Sequence, residues 1–205
     1  MKELFERYPQ LEVCRESLEK ALSLMLETYR KGGKILLCGN GGSCADCDHI
    51  VGELMKGFLS MRPATEEMKN KFVNECDDGE YIINNLQRGI PAISLPAQSA
   101  VLSAFINDVQ PDLMYAQLVY GYAKENDLVV GLSTSGNSGN VVNAVKTAKT
   151  LGVNTLSLTG AKDSKLSEIS TCTIKVPETE TFKIQELHLP VYHWLCAEIE
   201  RILFG

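Results

Sequence analysis

Apolar residues recur at three- and four-residue steps through Leu11, Cys14, Leu18, Leu22, Met25 and Tyr29. That period predicts a helix over about 9–31, closed by Gly32-Gly33. The rhythm then changes: short apolar runs at Lys34–Cys38, Pro91–Leu95, Leu128–Leu132, Asn154–Leu158 and Cys172–Val176 predict five strands. Helix-period stretches follow near Ser43–Leu59, Gln98–Ile106, Asp112–Lys124, Gly139–Leu151 and Thr181–Leu203. Continuously apolar strands alternating with helices predict an α/β fold, a three-layer, doubly wound, five-stranded parallel sheet. Pro190 removes an N–H from the last helix and crowds its preceding turn, which predicts a kink. Ser60–Gly89 breaks the alternation with Pro63 and a run of acidic residues from Glu66 to Glu80. It reads as an acidic excursion of about 60–89, partly helical around Glu66–Val73, within a single domain of residues 1–205.

Composition narrows the class. A 44% hydrophobic and 22% charged chain of 205 residues has the make-up of an ordinary globular protein. A net charge of −6 argues against a dedicated nucleic-acid binder. No apolar run approaches the ~20 residues of a membrane span, and the start, Met1-Lys2-Glu3-Leu4-Phe5-Glu6-Arg7, lacks the apolar core of a secretory signal. The expectation is a cytoplasmic protein, its seven cysteines reduced and mostly packed as small hydrophobes. Cys44 and Cys47 alone have a suggestive spacing. Packing, a redox dithiol and a metal pair are all open to them, although no second close pair completes a zinc ribbon.

Ligands of open parallel sheets bind beyond the carboxyl ends of the strands. The first strand ends in Cys38-Gly39-Asn40-Gly41-Gly42-Ser43, where glycines admit a ligand to the backbone and the next helix offers free amides. A plain strand-to-helix turn explains the same residues. The third strand ends in Ser133-Thr134-Ser135-Gly136-Asn137-Ser138. Four hydroxyls ahead of a helix exceed what a cap uses and suit an anion. Asn107-Asp108 reads by default as a polar turn ending a short helix.

Proton chemistry has two candidate locations. His49 and Glu53, four apart, share a face of the helix opened by the glycine loop, a spacing used in acid–base and metal sites and also by surface pairs. The last helix carries Gln185, His188 and His193 among apolar residues. At 100° per residue the two histidines point about 140° apart, and Gln185 and His193 are ~12 Å apart along the axis. A histidine on so apolar a helix serves either as a satisfied core residue or as a catalyst, and spacing does not choose.

Taken in order, the Cys38–Ser43 loop, His49 with Glu53, the Ser133–Ser138 loop, and Ile184-Gln185-Glu186 with His193 resemble the SIS (sugar isomerase) domain, most closely the phosphoheptose isomerases. The resemblance covers the chain from the first helix onward, except Ser60–Gly89. It implies a flavodoxin-like fold and isomerisation of sedoheptulose 7-phosphate to D-glycero-D-manno-heptose 7-phosphate through an enediol. It also implies a homotetramer with active sites between subunits. By resemblance, Glu53 and His193 are the catalytic acid–base pair. Asn40, Gly41, Gly42, Ser43, Asn107, Asp108, Ser133, Thr134, Ser135, Ser138 and Gln185 contact the sugar phosphate. His49, Glu53, Gln185 and His193 form a zinc site, and no organic cofactor is implied. The chain departs from the family pattern where Gly57 replaces an arginine and Phe182 an acidic residue, and in the length of Ser60–Gly89.

Three rivals remain: an isomerase of another ketose phosphate, a non-catalytic phosphosugar-binding adaptor or regulator, and a redox protein using Cys44 and Cys47. Adaptor relatives lack the residues that Glu53 and His193 match.

Overall fold

The apolar runs form five parallel strands in the computed structural model, which describes residues 1–205: β1 (Ile35–Gly39), β2 (Ala92–Ser94), β3 (Leu128–Leu132), β4 (Asn154–Thr159) and β5 (Cys172–Lys175). Their order is β2-β1-β3-β4-β5, the flavodoxin-like arrangement. β1 and β3 are buried throughout, so their side chains alternate between two cores. Ile35, Leu37, Leu128, Val130 and Leu132 face the first core, with helices α2 (Arg15–Arg30), α3 (Gly42–Met55) and α10 (Thr181–Phe204). Leu36, Cys38 and Val129 face the second, with α7 (Met114–Tyr122) and α8 (Gly139–Thr150). α8 buries Val141, Val142, Ala144, Val145 and Ala148, the stripe its spacing predicts. It approaches β3 so closely that a Cβ on Gly131 would lie 3.0 Å from Val141.

Several expectations need correction. The expected first helix of about 9–31 is a 3₁₀ turn over Pro9–Cys14 leading into α2, and a further short helix, α1 (Lys2–Arg7), precedes it. Pro9 has no N–H to continue α1, and its ring suits a new first turn. α10 runs from Thr181 to Phe204 through Pro190, the extent expected to within a residue. The acidic excursion holds two helices, α4 (Glu66–Glu75) and α5 (Gly79–Asn85). Its neck is closed by a Pro63–Gln87 bridge and by the N–H of Arg88 donating to Arg62 O at 2.7 Å. α6 (Ser99–Asp108) follows β2, and α9 (Lys165–Ile169), absent from the sequence reading, follows β4.

His188 is the core histidine. It is fully buried, its Nε2 stands 3.3 Å from Thr159 O, and Nδ1 has no partner. Burial pulls its pKa down to about 4, against a smaller opposing effect of the Thr159 carbonyl. The unfolded chain therefore takes up a proton near pH 6.5 that the fold refuses until about pH 4. Stability should be complete above pH 6.5 and fall by about 3 kcal/mol as the pH drops to 4. Urea unfolding at pH 7.5 and 4.5 measures the loss, and His188→Gln should remove most of the difference.

Candidate active site

Loops after β1 and β3 meet because those neighbouring strands flank the point where strand order reverses. Asn40, directly after β1, and Asn140, in the first turn of α8, exchange two amide hydrogen bonds of 2.9 and 2.8 Å. Asn40 thus ties the two loops together, and its amide is engaged. Ser43 is buried, and its N–H donates to Asn40 O, so it shapes the loop from within. Gly41 has φ +55, and Gly42 is covered by Gln185: a Cβ there would lie 2.6 Å from Gln185 Nε2.

In the serine loop, Ser133 Oγ lies 3.0 Å from Ser138 Oγ and 3.5 Å from Ser135 Oγ, and the Asn137 N–H donates to Ser135 Oγ at 3.1 Å. Gly136 makes the bend with φ +65, and a Cβ on it would overlap Ser164. A cavity of about 220 Å³ opens beside this loop, lined by Thr134, Ser135, Asn137, Gly160, Lys162 and Thr181 among others. Sequence reasoning missed Lys162 and Thr181, which enter from the loop after β4 and the start of α10. Strand order could have pointed to them, since β4 lies beside β3. A larger, polar cleft of about 670 Å³ lies elsewhere, between α2, α9 and β5, and includes none of the predicted residues.

α3 and α10 run side by side in the same direction: Gln185 stands over Gly42, Tyr192 meets Asp46 and His49, and Glu200 meets the chain just beyond α3. His49, Glu53 and His193 therefore gather midway along the seam. His49 Nε2 is 3.2 Å from Glu53 Oε1, and the His49 and His193 rings are edge to face at 5.0 Å. Glu53 is mostly buried, with Oε2 unpartnered, and Lys56 Nζ approaches it only to 3.8 Å. His193 Nε2 is also buried without a partner. Burial pushes the His193 pKa below the usual range, helped by His49 and opposed by the Glu53 charge, so the ring is neutral at pH 7. Burial raises the Asp46 carboxyl against the opposing pull of Tyr192 and His49, and raises the Tyr192 phenol with Asp46 adding to the effect.

The remaining predicted residues are not gathered here. Gln185 stays at the Gly42 end, two turns from His193. Asn107 and Asp108 are exposed at the end of α6 and hydrogen-bond one another at 2.7 Å. Two imidazoles and a carboxylate have the donor chemistry of a zinc site, and two of their atoms lack partners. No three His, Cys, Asp or Glu side chains converge on one point as metal ligands, however, so no chemical step is routed through a metal below. The cysteines lean to packing. Cys47 is buried and its thiol is pushed well above the usual range, mainly by burial, and Cys44 is raised by burial and by Asp48. Neither has the stabilised thiolate of a redox pair.

The seam is held by a residue the sequence did not advertise. Arg62, fully buried, donates from Nε to Glu200 Oε1 at 2.7 Å, from one terminal nitrogen to Leu54 O at 2.6 Å and from the other to Glu53 O at 3.0 Å. Glu200 also accepts the N–H groups of Phe58, Leu59 and Ser60 at 2.7–3.0 Å. Burial alone would raise the Glu200 carboxyl, but these N–H groups and Arg62 outweigh it and hold its pKa below the usual value.

Combined with the fold, a hydroxyl-rich strand-end loop and a carboxylate–imidazole seam define a SIS-domain protein, and family models described as SIS domain match residues 2–75 and 100–192. The phosphoheptose isomerase of Aliarcobacter butzleri is 37% identical over 193 residues, 94% of this chain and 89% of that protein. The chain belongs to the phosphoheptose isomerase family. A solved phosphoheptose isomerase from Neisseria gonorrhoeae superposes with a TM-score of 0.74 at 29% identity, covering 97% of this chain and 94% of that one. One from Francisella tularensis shares the fold with a TM-score of 0.77 at 24% identity, covering 95% and 91%.

Removing the guanidinium strands Glu200 as an unpaired buried charge and frees the end of α3. Arg62→Met should destabilise the fold by about 3–5 kcal/mol in urea unfolding. Replacing both partners, Arg62→Met with Glu200→Leu, should cost distinctly less.

Proposed function

We infer that the chain is a phosphosugar isomerase that interconverts sedoheptulose 7-phosphate and D-glycero-D-manno-heptose 7-phosphate through an enediol. What carries this reading is the juxtaposition of Glu53 with His49 and His193, leaving Glu53 Oε2 and His193 Nε2 unpartnered, in a chain of this family. The reaction moves a proton between neighbouring carbons. Glu53 Oε2 takes it from C1 and returns it to C2, and neutral His193 supplies the partner that stabilises or protonates the sugar oxygens. Thr134, Ser135 and Ser138 hold the phosphate with the amides at the start of α8, while Gly41, Gly42 and Gln185 border the sugar. Zinc, where bound, would be held by His49, Glu53 and His193, with Gln185 of the expected set two turns away over Gly42, and would polarise the substrate carbonyl.

In this reading the working unit is a homotetramer with active sites between subunits. α6 supports it: the helix buries no residue although it carries Val101, Leu102, Phe105 and Ile106, and exposed Val109 and Leu113 follow. A subunit covering that helix would bring Asn107 and Asp108 into an interface. No helix is long and apolar enough to cross a membrane. The proposed location is the cytoplasm, supported by seven cysteines that are all free thiols.

A panel of five- to seven-carbon ketose phosphates, offered to metal-stripped and zinc-loaded protein, tests the activity. The seven-carbon substrate should turn over, and Glu53→Gln should reduce kcat at least hundredfold. A folded Glu53→Gln variant at the parental rate overturns the catalytic assignment, and turnover of shorter sugars alone overturns the substrate. Light scattering on the same preparation should give four times the 22.6 kDa of one chain.

A further inference from the structure

One cation approaches the Glu53 carboxylate without bonding to it. Lys56 lies three positions further on, a spacing that brings it to the same side of the helix. Its Nζ donates to Gly57 O at 3.0 Å and stands 3.8 Å from Glu53 Oε2, beyond hydrogen-bond reach of the oxygen that has no partner. An ammonium has three protons to donate, so two remain uncommitted. The root of the side chain is fixed. Lys56 is the first residue past α3, Arg62 holds the carbonyls of Glu53 and Leu54 before it, and the Gly57 N–H after it donates to Gln87 Oε1 at 2.6 Å. The tip is free to move, with 66% of the side chain exposed. Gly57 offers no competing side chain, since a Cβ there would lie 2.3 Å from Ser60 O.

We propose that Lys56 is a catalytic residue whose ammonium meets the negative charge as it passes from Glu53 to the substrate. Glu53 Oε2 takes a proton from C1 of the ketose. The C–H electron pair becomes the second C1–C2 bond and the carbonyl pair moves onto O2, so the carboxylate loses one negative charge and the sugar gains it. After a proton passes from O1 to O2, Glu53 returns its own proton to C2, C1 becomes the carbonyl, and the charge is back on the carboxylate. A cation hydrogen-bonded to the base would stabilise the resting enzyme as much as the transition state and would not speed the step. Lys56 escapes that balance. Its bond is to a neutral carbonyl, Gly57 O, and it can exchange this acceptor for the alkoxide that develops at O2. The assignment rests on the reading of Glu53 as the base.

The test separates charge on the ligand from binding in general. In Glu53→Gln the neutral amide stands in for the protonated acid, and nothing turns over. Calorimetry on this variant, with and without Lys56→Met, compares two ligands. Sedoheptulose 7-phosphate is uncharged at its reacting end, whereas the seven-carbon aldonate 7-phosphate carries a C1 carboxylate there. Lys56→Met should weaken the aldonate at least about tenfold and the ketose by no more than about twofold. In the otherwise parental chain, Lys56→Met should lower kcat about ten- to hundredfold with KM within about twofold, and Lys56→Arg, which keeps the charge, should recover much of kcat. Equal weakening of both ligands, or a parental kcat in Lys56→Met, overturns the proposal. If the parent isomerises no ketose phosphate, the reading of Glu53 as base fails and takes the proposal with it, a result distinct from either of those.

Discussion

The pairing of Glu200 with Arg62 is the contact on which the rest of the site depends. A carboxylate near the end of α10 gathers three backbone N–H groups beyond α3 and one guanidinium. That guanidinium satisfies two carbonyls in the last turn of α3, groups that a helix end otherwise leaves unpaired. The two helices are thereby fixed side by side and in register. Because they run in the same direction, three residues of α10 have counterparts at the same level of α3: Gln185 at Gly42, Tyr192 at Asp46 and His49, and His193 beside His49. A slip of one turn, ~5.4 Å, would separate each of these pairs. The usual objection to buried ion pairs, that desolvation outweighs attraction, is weakened here because nearly every polar atom of both groups is hydrogen-bonded.

The fold was largely legible from the sequence because strands buried on both faces are written as continuous apolar runs, and all five appear within about a residue of their expected positions. What escaped was short. α9 has five residues and α1 has six, of which only Leu4 and Phe5 are buried, and neither length supports a periodic pattern. The site was legible where chemistry is local: the serine loop, the glycine loop, and His49 with Glu53 one turn apart. It was illegible where distant segments cooperate. Arg62 stands at the edge of an acidic stretch and reads as a solvated charge until Glu200, 138 positions later, is seen to bury it. Tyr192 reads as one more aromatic on an apolar helix until its hydroxyl is placed between Asp46 and His49.

The same contrast explains why the excursion from Ser60 to Gly89 does not disturb the sheet. Its acidic residues sit on α4, which buries nothing, and around α5, while its neck is pinned at Arg62, at Pro63 with Gln87, and where Gln87 accepts the Gly57 N–H at 2.6 Å. Long loops cost little extra entropy once their ends are held. The neck is the same stretch that Glu200 binds, so the insertion is anchored to the seam that aligns Glu53 with His193.

Charge differs between the serine loop and the α3–α10 seam in a way that suits the proposed reaction. The serine loop offers hydroxyls, amides and the N-terminus of a twelve-residue helix, and the cavity beside it is lined by one cation, Lys162, and two carboxylates, Asp163 and Glu178. Oriented dipoles of this kind suit a phosphate and cost no ion pair to release. The seam is mixed in sign, with Asp46, Glu53 and Lys56 around two imidazoles, of which His193 is kept neutral by burial. A neutral imidazole beside a carboxylate can give a proton to, or accept one from, a sugar oxygen without first losing a charge to water. On the proposed reading the two regions are thus distinct in chemistry, one suited to a fixed negative charge and one to proton exchange.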